Sequence, residues 1–373
     1  MLVKTQSQAR MIERVRVLRL AEKIRKKERR GSKTEFSAKF SRQRNLKIGR
    51  RFEWNDISVP EHLTFNQKKR DECCRFFIAI EYSVSHGKNV RLIFNDTKHI
   101  ALDALTFLLA KIQKLRWIYG ENSVTGTYPS SRRVERVLTE SGFFKILGVR
   151  SRRTYTKGAI RYVKYRSDVK LLGSHIEALK IDLLGDDIQL YKPIALKIVR
   201  AIKEAMSNVS HHAYQTKSIR TKKMLGRWWL NGHLNVSKNE LSLSFYDCGV
   251  GIPKTLVRKY GMEQIRGVFS LLPIVNPDDA QMIEAAVELG RTGTLKSYRG
   301  KGLQDMHQLI KLVGEGSLTI HSRQGSYHYN YPNAKSKNFE EFLEGTLITW
   351  VLPLNKAAEI ADSLIEVDGV DDE

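Results

Sequence analysis

The sequence predicts an α/β protein: two α/β units in series behind a basic N-terminal arm. Three observations carry this. Between residues 55 and 165, short β-rich runs alternate with amphipathic helical stretches. From residue 189 a helix, a hairpin, a long helical stretch and closing strands follow in turn, as a two-layer α/β sandwich requires. Charge is also uneven, because residues 1–51 hold 18 Lys and Arg against 4 Asp and Glu in a chain of net charge +24.

The arm, residues 1–51, reads as a basic helix from Gln8 to Arg30 with a narrow apolar stripe of Met11, Val15, Val17, Leu18, Leu20 and Ile24. Clustered Lys and Arg can release counterions from a phosphate backbone, so nucleic acid is one candidate partner. A solvated arm, a membrane surface and a protein partner remain alternatives. The tail, residues 355–373, is acidic and ends in Asp371, Asp372 and Glu373. No uninterrupted apolar stretch is long enough to span a bilayer. Cys73, Cys74 and Cys248 have no metal-ligand spacing and read as packed thiols of a cytoplasmic protein.

In the first unit, residues 55–165, the pattern predicts helices over 67–86, 102–115 and 135–141. Gly142 caps the last of these. Strands are expected at 89–95 and from Ser123. Residues 166–188 read as a connector, and the second unit spans 189–354.

The second unit carries the chemistry. In the helix 193–214, Glu204 and Asn208 lie four residues apart on one face, with His212 continuing the row. A carboxylate there can polarise a hydroxyl, and an amide oxygen can bind a hard cation. A hairpin follows, with strands 228–236 and 241–246; Trp228 and Trp229 read as core. It ends in Asp247-Cys-Gly249-Val-Gly251-Ile252-Pro253. An Asp at a strand tip can accept a hydrogen bond from an adenine amino group, and the glycines let backbone pass close to a flat base. A basic, mostly helical stretch from 254 to 299 leads to Gly300-Lys301-Gly302-Leu303, which opens a helix over 303–313. Backbone N–H groups at such a turn favour an anion, and Lys301, Arg291 and Arg299 add positive charge. Strands 316–322 and 345–354 complete a mixed sheet, the second starting at Gly345-Thr346.

This order resembles the GHKL superfamily, whose ATP site is the Bergerat fold, over about 165 residues. Glu204-Ala-Met-Ser-Asn208-Val-Ser-His-His212-Ala-Tyr214 looks like the corresponding box of the anti-sigma-factor serine kinases. The resemblance implies ATP and Mg2+ as cofactors, Glu204 as general base and Asn208 as the magnesium ligand. It implies that Asp247 reads adenine, that Gly249, Gly251 and Ile252 line the base pocket, and that Thr346 stands beside it. Gly300, Lys301, Gly302 and Leu303 would hold the phosphates. The stretch between Gly251 and Gly300 is longer than the lid of those small kinases, which leaves room for a coupling segment. The implied function is an ATPase or a serine/threonine protein kinase that regulates a protein partner. The alternative is an ATP-gated, nucleic-acid-associated switch resembling MutL or MORC proteins, with an ATP-dependent homodimer and a bacterial defence role.

The first unit resembles a STAS domain through Val90–Phe94, Asn95-Asp96-Thr97, Gly126-Thr-Tyr-Pro129 and the run Leu138–Phe143. That family can carry a phosphorylated Ser or Thr at the start of its second helix. Here Ala101, Leu102 and Asp103 stand in that region, flanked by Thr97 and Thr106.

Overall fold

The computed structural model describes residues 53–156, 158–169, 227–269, 274, 276–291 and 302–354. The basic arm, most of the connector, the helix bearing Glu204, Asn208 and His212, and the acidic tail lie outside the described residues.

The first unit runs β1 (Trp54–Ser58), β2 (His62–Leu63), α1 (Arg70–Ser85), β3 (Asn89–Ile93), β4 (His99–Ile100), α2 (Leu102–Tyr119), β5 (Val124–Gly126), α3 (Arg132–Ser141) and α4 (Phe143–Leu147). β1, β3 and β5 form a parallel sheet in that order, and β2 pairs with β4. On α1, Phe76, Phe77, Ile80 and Val84 form one buried face. Ser131 caps α3 by accepting from the Val134 N–H, and Gly142, in the left-handed region at φ 89°, ends it as expected.

The second unit runs β6 (Ile160–Asp168), β7 (Trp228–Asn235), β8 (Glu240–Asp247), α5 (Ile252–Val268), α6 (Asp279–Arg291), α7 (Gly302–Val313), β9 (Ser317–Asn330) and β10 (Asn333–Pro353). Its strands form one sheet ordered β6-β7-β8-β10-β9. Two features differ from the expectation. Every pairing in this sheet is antiparallel rather than mixed, because β9 turns directly into β10 instead of crossing over. β6 also crosses the expected boundary at residue 165, pairing with β7 as the outer strand of the second sheet.

β9 and β10 outrun the strands expected at 316–322 and 345–354. Residues 323–344 continue them as a bent hairpin. Arg323 sits at the bend with φ 57°, where the register of β10 shifts. The bend brings His328 Nδ1 within 2.8 Å of Thr319 Oγ1 although both lie on β9. Asp279, at the start of α6, holds the bend by accepting from Arg323 Nε and the Gln324 N–H.

α2 explains how the two units meet. Leu105, Leu108, Leu109, Ile112 and Leu115 are all buried, around more than one side of the helix. A helix apolar on several sides needs neighbours on several sides. α2 has β5 on one side and β7, β8 and β10 on the other, so one apolar core runs from Val90 and Leu92 through α2 to Trp229, Tyr246 and Leu347. Trp228 and Trp229 are both core, each 1% exposed.

Polar bonds lock the same joint. Lys111 Nζ donates to Glu81 at 2.8 Å and to Glu344 at 3.0 Å, and Lys114 Nζ reaches both Glu344 oxygens at 2.9 Å. Burial alone would lower the Lys114 pKa, but the surrounding groups, Glu344 foremost and Glu81 among them, together outweigh it and the ammonium is held above its usual value. Gln113 Oε1 accepts from Trp229 Nε1 at 2.9 Å and from the Tyr165 hydroxyl. The fully buried Arg70 donates to the carbonyls of Glu341 and Arg323. Removing one member of a buried ion pair strands the other in low dielectric. Glu344→Gln, which leaves Lys114 without a carboxylate, is expected to destabilise the fold by about 3 kcal/mol in urea denaturation. The variant's melt should still be a single transition, because the apolar core across α2 remains.

Candidate functional site

Asp247 ends β8, and its neighbours across the sheet define the site. The register places Trp228, Asp247, Thr346 and Ser322 side by side on β7, β8, β10 and β9. Residues in register share one face, so a single polar row crosses the sheet at the tip of β8.

Each member is held tightly. Asp247 Oδ1 accepts the Gly249 N–H at 2.6 Å, and its carboxylate also bonds the Thr346 side chain. Ser322 Oγ accepts the Ile252 N–H at 3.0 Å and donates to the Gly345 carbonyl at 2.9 Å. The serine thereby ties the start of α5 to the Gly-Thr strand. Two glycines are required for this closeness. A Cβ on Gly345, which has φ 80°, would lie 1.8 Å from the Asp247 carbonyl oxygen. One on Gly251, at φ 89°, would lie 2.8 Å from Ser322 Oγ.

Asp247 is only 7% exposed. Burial pushes its pKa up to about 7, against the opposing pull of the bonds from Gly249 and Thr346. The carboxyl is therefore close to half ionised near neutral pH. A buried acid with two fixed donors on it keeps lone pairs for one more donor. The adjoining Cys248 thiol is pushed up to about 12 by burial and is inert as a nucleophile.

Of the residues singled out in the sequence, the structure brings Asp247, Gly249, Gly251, Ile252 and Thr346 together. Gly302 begins α7 as expected, and the side chain of Leu303 is outside the described residues. Glu204, Asn208, Gly300 and Lys301 also lie outside them. No group of three or more His, Cys, Asp or Glu side chains able to hold a metal occurs among the described residues. No described helix is long and apolar enough to cross a membrane. An open polar cleft of about 610 Å3, lined by Gln67, Lys68 and Asp71 and by residues 337–340, lies on the bent hairpin and does not include Asp247.

Ser322 is the site residue that the sequence reading missed. Its signal was present: Leu318 and Ile320 precede it on the same face, so the third position of an apolar alternation is a hydroxyl. In the first unit, both flanking threonines are sealed. Thr97 is 1% exposed and donates to the Val59 carbonyl; Thr106 is fully buried and donates to the Leu102 carbonyl. Neither hydroxyl is open to a phosphoryl donor.

Comparison with family models, curated proteins and solved structures gives no match.

The raised pKa of Asp247 sets a pH dependence of stability. In the unfolded chain this acid ionises near pH 4, whereas the folded chain keeps its proton up to about pH 7. The stability it contributes is present at low pH and is lost as pH rises through that window, by up to about 4 kcal/mol. Asp247→Asn should remove this loss. Urea denaturation from pH 4 to pH 8 should show the variant gaining on the parent as pH rises; parallel curves would refute the burial of an acid here.

Proposed function

We propose that the second unit is a magnesium-dependent ATP-binding domain of the GHKL type, and that the chain is an ATPase or a serine/threonine protein kinase acting on a protein partner. The observation that carries this reading is the row at the tip of β8. A buried acid stands beside a threonine on the adjacent strand. Gly345 on β10 and Gly251 at the start of α5 let the backbone and Ser322 close tightly around it.

The chemistry of the row favours a purine over a phosphate. A half-ionised, buried carboxyl repels an anion but accepts a hydrogen bond from a neutral amino group. The Thr346 hydroxyl supplies a second polar contact next to it. Phosphates would sit away from this carboxyl, at the glycine turn that opens α7, where N–H groups and Lys301 favour negative charge. The sequence row Glu204 and Asn208 would complete the site, with Asn208 on the ion and Glu204 as base. Bound ATP would supply the γ-phosphoryl group, and Mg2+ would neutralise charge on its oxygens. The strand order β6-β7-β8-β10-β9, with Asp and Thr on neighbouring antiparallel strands, supports a Bergerat arrangement. The parallel β1-β3-β5 sheet supports a STAS-like scaffold, used for docking rather than as a phospho-acceptor at Thr97 or Thr106.

Calorimetric titration with ATP and GTP tests the reading. The parent is expected to prefer ATP, and Asp247→Asn should weaken ATP binding on the order of tenfold, as loss of a charge-assisted bond does. Equal affinity for ATP and GTP would count against Asp247 as the purine reader. Glu204→Ala should keep ATP affinity and lose turnover, measured as release or transfer of the γ-phosphate; an unchanged rate removes Glu204 as the base.

A further inference from the structure

We propose that the face built by α3, α4 and the loop after them, residues 132–153, binds the phosphate backbone of a nucleic-acid duplex. This face is separate from the basic arm and does not depend on the nucleotide reading. Residues 128–166 hold 11 Lys and Arg against 2 Asp and Glu. Both acids are already engaged: Glu135, 2% exposed, accepts from Arg153 at 2.6 Å, and Glu140 accepts from Arg136 at 2.8 Å. Arg132, Arg133, Lys145, Arg150 and Arg152 are exposed, and no carboxylate among the described residues pairs with them.

Folding does not account for these cations. Arg132 and Arg133 occupy the first turn of α3, where the helix dipole disfavours positive charge. Five like charges within one short segment also repel one another, which costs stability unless an anion relieves it.

The face is held ready. The Arg152 guanidinium lies 3.9 Å over the Tyr128 ring, and the Tyr128 hydroxyl donates to the Arg150 carbonyl at 2.6 Å. Tyr128 in turn packs on Phe144 at 5.2 Å, so the loop carrying Arg150 and Arg152 is fixed to α4. Arg133 lies within electrostatic reach of His99 on β4 and Tyr162 on β6, which places the first turn of α3 beside the edge of the second sheet. Arg152, fixed before binding, loses little freedom on contact.

The partner follows from what the face lacks. Base stacking on single strands needs open aromatic rings. Tyr128 is covered by Arg152 and packs on Phe144, and none of the exposed large apolar side chains falls within residues 128–166. The same lack removes the apolar wedge with which a peripheral protein enters a lipid interface. A duplex backbone needs only spaced cations.

The test uses the full chain and fluorescence anisotropy with labelled DNA and RNA duplexes of about 20 base pairs, the matched single strands, and phosphoinositide-containing vesicles. One variant replaces Arg132, Arg133, Arg150 and Arg152 by Glu; a milder one replaces them by Gln. An arm control replaces Arg10, Arg14, Arg16 and Arg19 by Glu. Both face variants should stay folded, because the four side chains are exposed. They should weaken duplex binding at least about tenfold near 0.1 M salt and flatten the salt dependence by roughly three to four log units per log unit of salt. Should the Glu variant fail to fold, the Gln variant carries the same reading with a smaller loss. The proposal is overturned if the parent binds no duplex at low salt, or prefers single strands or vesicles. It is also overturned if only the arm control weakens binding.

Discussion

A single half-buried carboxylate, Glu344, is shared by two ammonium groups from a helix of the other unit, and the candidate site depends on that sharing. Lys111 and Lys114 rise from α2 to meet it, and the Tyr246 hydroxyl donates to its backbone carbonyl. Glu344 directly precedes Gly345 and Thr346, the two residues that close on Asp247. A buried ion pair with satisfied partners adds little net stability, yet its geometry is hard to deform, because displacing either charge leaves it unsolvated. The position of the Gly-Thr strand is thereby tied to α2 as firmly as to its own sheet. A ligand that pushed on Thr346 would push on the first unit as well.

This joint makes the two units one mechanical body among the described residues. The apolar core passes through α2 without a break, Arg70 reaches across to carbonyls on both β9 and β10, and Gln113 gathers Trp229 and Tyr165 from the second sheet. A first unit joined this way cannot swing freely from the second sheet. Regulation through the first unit, if a partner docks there, would travel through packed side chains with two-sided contacts and not through a flexible linker.

The legible parts of the sequence were those governed by local periodicity. α1, α2, α3, β7, β8 and α7 came from apolar spacing, turn residues and the Gly142 cap, each of which acts within a few positions. The Asp247-to-Gly251 turn was legible for the same reason, since an acid followed by alternating glycines restricts the backbone on its own. Three features were not. β6 straddles the boundary expected at residue 165 and no local pattern marks it, because its partner, β7, lies about sixty residues on, and only long-range pairing shows which sheet a strand joins. The outer half of the β9–β10 hairpin carries mostly exposed, polar residues from Asn333 to Asn338, so no alternation marks it. For Ser322 the alternation marks only a hydroxyl on the buried face; its role comes from Gly345 and Ile252, neither of which is near it in sequence.

The chemistry of Asp247 ties these threads together. Its burial raises its pKa to about 7, and an acid so poised near neutrality is an expensive residue to keep in a core. A structural row would be more stable with an apolar or amide side chain there. Gly345 and Gly251, needed for their positive φ, add the backbone entropy that glycine loses on folding. Ser322 spends its hydroxyl on holding these segments together, not on the aspartate. Protein cores carry such locally unfavourable choices where a ligand is expected to repay them. On the reading we propose, a group that donates to the carboxyl and carries no negative charge at that point would offset this cost, as the amino edge of a purine would and a phosphate or a second carboxylate would not.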